Sequence, residues 1–170
     1  MKINYQYIKR VLLYILLLCV IFILQSTFDL NIMGHKINLI PTVFIAISLL
    51  DSLPLAVGFA FFSGILTDLN FFLYEGINSA IFIIFAILIY FLAIKFFTNG
   101  IFTNMMFVSI TMLFHKVILF VFYYILVDPT SFLVYFKIIS AEILIATLLA
   151  FIPYLFVYQI STTFRSKNGD

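Results

Sequence analysis

From Val11 to Leu24 the chain runs through fourteen residues, VLLYILLLCVIFIL, without a charge, an amide or an aliphatic hydroxyl. From Ala80 to Ile94 it does so again over fifteen, AIFIIFAILIYFLAI. A helix crosses the hydrocarbon core of a bilayer with roughly 20 mainly apolar residues, and runs of this kind reach that length with their flanks. Composition says the same. Hydrophobic residues make up 65% of the 170, charged residues 9%, and the mean hydropathy is +1.25. A soluble domain carries about 25% charged residues, so this chain could not cover a water-facing surface. The expected fold is an all-α polytopic membrane protein, with residues 1–170 forming a single membrane domain built as a compact bundle of six transmembrane helices.

The six expected spans are 11–27, 38–51, 55–70, 77–97, 101–127 and 131–158. The second, NLIPTVFIAISLL, is short for a full crossing, so residues 51–54 are expected to form a tight turn sunk below the membrane surface. A re-entrant pair with the third segment is the competing arrangement. Basic residues set the orientation. With a cytoplasmic N-terminus, the inside holds Lys2, Lys9, Arg10, Lys95, Arg165 and Lys167, whereas the outside holds only Lys36 and Lys137. Asp29, Asp68, Glu75 and Asp128 fall outside as well, and both termini are expected in the cytoplasm. The longest connection, FDLNIMGHKINL, offers Gly34 as a turn between two alternating stretches.

Several function classes drop out. Net charge is +2, with no basic run to suggest nucleic acid. The single Cys19 excludes a disulfide framework or thiolate metal site, and its place in the first apolar stretch reads as a small buried hydrophobe. The N-terminus resembles a signal peptide in outline, but its apolar run is long enough to span and no small-residue cleavage site ends it, so it reads as a retained first helix. There is no Gly-rich phosphate loop, His-x-x-x-His helix or GxSxG elbow, and His35 and His115 lie several spans apart. No catalytic residue, metal site or cofactor is expected.

Three polar features stand out. Lys116 lies near the middle of the fifth span, where a charge costs at least about 2.5–3.5 kcal/mol and should find a partner or water. It precedes Asp128 by twelve residues, and Glu142 follows Ser131 by eleven, so the two share a depth on consecutive antiparallel helices. A structural ion pair is the leading reading, with a proton-relay role and unpaired snorkelling behind it. Gln25 to Thr27 close the first span as an interfacial helix end. Finally, Ala56, Ala60 and Gly64 recur four apart in AVGFAFFSGILTDL and form a slowly drifting ridge of missing side chains, ending at Asp68. Gly58, Ser63 and Thr67 flank it. Such small-xxx-small ridges let helices approach closely in lipid, either within the chain or against a partner protein's helix.

GFAFFSGILTDL resembles the G-F-x-x-G-L-x-x-D-L core of the MreD family of bacterial rod shape-determining membrane proteins, at Gly58, Phe59, Gly64, Asp68 and Leu69. LQST at 24–27 is similar to the family's first-span ending, and NLIPTVFIAISLL to its P-D/N-L-x-L run, led here by Pro41. Gly76 fits the glycine after the third span. Thr42 stands where the family usually has Asp or Asn, and the glycine-to-glycine spacing is stretched. The resemblance covers the whole chain. It implies a non-enzymatic scaffold subunit of the cell-elongation complex in the cytoplasmic (inner) membrane, binding an MreC-like single-span protein. Through that partner it would connect indirectly to the peptidoglycan synthases of the lateral wall.

A chain of six spans also resembles the substrate-binding subunit of energy-coupling-factor vitamin transporters. Those subunits usually carry Ala-x-x-x-Ala packing on the first helix, and VLLYILLLCVIFILQST contains neither Ala nor Gly. With no Trp and few intramembrane polar residues, a vitamin pocket would be poorly furnished.

Overall fold

The computed structural model describes residues 5–27, 31–32, 35–71, 76–96, 100–126 and 132–165. Lys2, Asp29, Gly34, Glu75, Asp128, Ser131 and Lys167, all used in the reading above, lie outside them. The described residues form seven helices: α1 (Tyr5–Thr27), α2 (Ile40–Leu50), α3 (Leu53–Phe71), α4 (Ile77–Phe96), α5 (Ile101–Leu126), α6 (Phe132–Leu149) and α7 (Phe151–Arg165). Two short strands, β1 (Asn31–Ile32) and β2 (His35–Lys36), pair antiparallel between α1 and α2, with Asn31 opposite Lys36 and Ile32 opposite His35.

Among the described residues, four stretches are long and apolar enough to cross a membrane: Tyr5–Thr27, Ile77–Phe96, Ile101–Val121 and Ile139–Phe164. Their outer surfaces carry exposed Leu, Ile and Phe side chains in number, among them Leu16, Ile84, Phe91, Phe102 and Leu144. Such a surface belongs in hydrocarbon, because contiguous exposed apolar patches of that extent are foreign to soluble monomers. The molecule is a helical bundle of membrane character.

α2 and α3 are shorter, and α2 shows why. All its residues from Ile40 to Leu50 are buried, with α1, α3, α4, α5 and α7 packed around it. A helix enclosed by protein need not reach the headgroups, since its ends can be satisfied by neighbouring helices instead of water. Pro41 opens it, where a missing N–H costs nothing. It stops at Asp51, whose backbone is extended (φ −130°, ψ −172°). Pro54 keeps it from continuing, because its ring would meet the carbonyl of Leu50 and it has no N–H to offer there. The turn comprises Asp51 and Ser52 alone, tighter than the expected 51–54, since Pro54 already lies in the first turn of α3.

The last expected span is two helices. Pro153 cannot donate to the carbonyl four residues back, and the chain breaks at Ala150, whose N–H turns to Thr147 O at 3.3 Å. The Asn104 side-chain amide donates to Ala150 O at 3.2 Å and supports the break. After it α7 runs on to Arg165, past the expected end at 158. α1 in turn begins at Tyr5, ahead of the expected 11.

The core is a continuous apolar cluster around α2. Phe44 of α2 stacks on Phe82 of α4 with ring centroids 4.9 Å apart, and Phe82 meets the His115 ring of α5 at 5.0 Å. Tyr14 of α1 sets its edge against Phe59 of α3 at 5.7 Å. Offset and edge-to-face aromatic pairs add about 0.5–1.5 kcal/mol each beyond area burial, so these contacts tie α2, α4 and α5 together and α1 to α3. α1 is attached by a narrow side, burying only Tyr14, Leu18 and Gln25. Cys19 is exposed on its free flank, which corrects the expectation of a buried thiol: α1 is peripheral, and its apolar length faces outward instead of into a core.

Candidate functional site: polar sockets at the two ends of α2

A helix start leaves backbone N–H groups without intrahelical acceptors, and inside a bundle no water meets them. At the beginning of α2 three consecutive donors are met by side chains. Asn38 N donates to Glu142 Oε1 of α6 at 3.3 Å, Leu39 N to Gln25 Oε1 of α1 at 3.0 Å, and Ile40 N to Asn38 Oδ1 at 3.2 Å. The Asn38 amide also donates to Thr67 Oγ1 of α3 at 3.3 Å, and the Thr67 hydroxyl donates to Ser63 O at 2.8 Å. Glu142, only 5% exposed, holds Lys116 Nζ at 2.7 Å on its second oxygen. A carboxylate at a helix start also opposes the positive end of the helix dipole.

A second chain of contacts adjoins the first. Asp68 accepts from the Asn78 amide at 2.6 Å and from Gly76 N at 2.9 Å. Asn78 Oδ1 lies 2.5 Å from His115 Nε2. Gly76 has φ +89°, a backbone state that L side chains rarely adopt, and its carbonyl receives Ala80 N at the start of α4. Asp68 therefore holds the turn into α4 from the neighbouring helix.

The other end of α2 has its own socket. Leu50 O, deprived of an N–H by Pro54, accepts the Ser161 hydroxyl of α7 at 3.2 Å. Asp51 accepts from Tyr14 OH at 2.9 Å and from Ser52 N at 2.8 Å, and lies 3.4 Å from Arg10 Nη2. A cation near the C-terminal end of α2 suits the dipole there. Arg10, Asp51, Ser52, Tyr90 and Ser161 line a cavity of about 610 Å³ at this end.

Set against the sequence, Lys116 and Glu142 lie together as a pair. Ala56 and Ala60 are fully buried, and Gly64 is buried with them. A Cβ placed on Gly64 would overlap the Ser79 backbone and come within 2.7 Å of its Oγ, so α4 itself occupies the notch. Asp68, expected on the outside at the end of the ridge, is 6% exposed and committed to Gly76 and Asn78. Its short side chain reaches the α4 turn because the notch draws α3 and α4 together. Gly58 takes no part in the notch, since a Cβ there meets nothing within 4 Å.

Asn38, Asn78, Tyr14 and the Arg10–Asp51 pair escape the sequence reading. Asn38 and Asn78 look like loop residues beside helix starts, and Tyr14 looks like one more aromatic in an apolar run. Gln25 carried a signal, an amide at a span's end, but nothing in spacing tied it to Leu39. Comparison with protein-family models, curated proteins and solved structures finds no match.

Proposed function

We propose that this chain is a non-enzymatic scaffold subunit of the bacterial cell-elongation complex, of the MreD kind. In this reading α1 to α5 and the α6–α7 pair, taken together, make six crossings of the cytoplasmic membrane, with both termini inside. A single-span MreC-like protein binds alongside, linking the bundle to peptidoglycan synthesis.

The observation that carries the reading is where the resembling residues meet. Gly64, Asp68 and Gly76 come from two separate parts of the resemblance, yet they make one joint, the α3–α4 crossing and its turn. Pro41 opens the helix around which the bundle is built. Residues that resemble the family's pattern in order thus sit at the joints that set this architecture. The notch is filled by α4, so the partner's helix would lie against a lipid-facing surface, and α1 offers the broadest one. The vitamin-transporter reading draws less support, because the buried polar groups at the start of α2 are taken up by helix ends.

Depletion in the host tests the role: rods are expected to become spheres, and unchanged shape would reject it. Reporter fusions at Asp170 are expected to be active only in the cytoplasm. The exposed native Cys19 allows disulfide trapping against single cysteines placed along the partner's span, with a helical pattern of trapped positions expected.

A further inference from the structure

The cavity beside Asp51 has a use that the scaffold reading neither requires nor assigns. It is walled by α1, the end of α2, α4 and α7, and its volume of about 610 Å³ falls within the range of small-ligand sites, about 300–1,000 Å³. Arg10, the last charged residue before the apolar run of α1, lines it, so the cavity lies where the hydrocarbon region begins. Lys9 and Lys95 are exposed at the same end, and Lys95 follows the lining residue Ile94.

We infer that this cavity binds a phosphate group at the membrane surface, carried by a phospholipid headgroup or by a soluble phosphate ester. The guanidinium is underused within the protein. Its contacts are the 3.4 Å approach of Nη2 to Asp51 and the Tyr7 ring, centred 5.4 Å from its carbon, while Nε is buried with no acceptor and the side chain keeps 16% exposure. Guanidinium groups present five N–H donors in a planar fork suited to phosphate oxygens. Asp51 does not oppose an anion strongly, because Tyr14 OH, Ser52 N and Arg10 already surround its carboxylate. Tyr90 also lines the cavity, and its hydroxyl makes no hydrogen bond among the described residues. The Ala93–Ile94 wall is apolar and Ile94 is 69% exposed, so an acyl chain could leave along the outer surface of α4 while its phosphate stays inside.

The test uses the full chain in detergent stripped of phospholipid. Binding of phosphatidylglycerol, diacylglycerol with the same tails, and glycerol 3-phosphate is measured by native mass spectrometry and by the shift in unfolding temperature. Phosphatidylglycerol is expected to bind and to raise the unfolding temperature, whereas diacylglycerol does neither. The paired change Arg10→Gln/Asp51→Asn removes both charges together and is expected to weaken phosphatidylglycerol roughly tenfold, the scale of a lost charge-assisted pair. Tyr90→Phe, which breaks no described bond of the fold, is expected to weaken it roughly threefold, the scale of one hydrogen bond. Glycerol 3-phosphate binding as tightly as the lipid keeps the phosphate site and assigns its ligand to the soluble pool. Diacylglycerol binding equally, or both variants binding like the parent, overturns the inference.

Discussion

Lys116 Nζ lies 2.7 Å from one oxygen of Glu142, and the other oxygen of that carboxylate receives the backbone N–H of Asn38 at 3.3 Å. The ion pair is thereby joined to the start of the buried helix. A charge pair inside a membrane bundle need contribute little net stability, since desolvation opposes the attraction. Here the carboxylate has a second task, supplying the acceptor that a helix start lacks when no water can reach it. The same logic holds at the far end, where Ser161, Tyr14 and Arg10 meet the turn after α2.

The two tasks of Glu142 separate by substitution. Glu142→Leu removes the carboxylate from Lys116 and the acceptor from the Asn38 N–H and is expected to cost roughly 3–5 kcal/mol, the scale for breaking a buried pair. Glu142→Gln keeps an acceptor for Asn38 and is expected to cost less. Adding Lys116→Met to Glu142→Gln is expected to recover part of the loss, because the ammonium no longer faces a neutral amide where its carboxylate stood. Unfolding in detergent reads the cycle. Additivity within about 0.5 kcal/mol would reject the coupling.

Gln25 holds the next donor. Gln25→Leu leaves Leu39 N–H buried without an acceptor, at an expected cost of about 1–3 kcal/mol. The loss is local, so amide hydrogen exchange is expected to quicken first at Leu39 and Ile40. Exchange that quickens evenly along α1, with α2 unaffected, counts against the cap.

Tyr14 is fully buried, and its hydroxyl donates to the Asp51 carboxylate. Hydrogen bonds to charged groups contribute about 1.5–3 kcal/mol, so Tyr14→Phe is expected to cost that much. Tyr7→Phe, at an exposed position on the same helix, is expected to stay within about 0.5 kcal/mol. Equal effects at both positions would show that the Asp51 bond contributes nothing of its own.

What the sequence reveals follows from range. The apolar runs fix which stretches are helical, because a membrane helix satisfies its own backbone and needs only length and greasiness. The depth argument for Lys116 and Glu142 works for a related reason: short connections make consecutive helices antiparallel neighbours. Asn38 to Glu142 and Leu50 to Ser161 bridge more than a hundred residues each, and no periodicity encodes them. The break at Ala150 was signalled by Pro153, but a proline can kink a helix or end it, and only packing decides. Small residues at 56, 60 and 64 announce a close approach without naming what approaches. That ambiguity is inherent, since α4 and a partner's helix would ask the same thing of α3.

The glycines of α3 turn the last point into a measurement. Gly64 and Gly58 are six residues apart on one helix, yet their surroundings are opposite. A methyl group on Gly64 would overlap the Ser79 backbone, which cannot rotate away as a side chain would, so α3 and α4 must separate. Overpacking of this kind costs typically 1–3 kcal/mol. Separation would also pull Asp68 from Gly76 and Asn78, so the loss for Gly64→Ala is expected at the upper end of that range. A methyl group on Gly58 meets nothing within 4 Å, and alanine is the better helix former, so Gly58→Ala is expected to be neutral or to stabilise by up to about 1 kcal/mol. Unfolding in detergent and protein level in the membrane read both changes. Co-purification with the single-span partner supplies the control: Gly64→Ala protein that unfolds like the parent but no longer retains the partner would place a partner helix, not α4, in the notch.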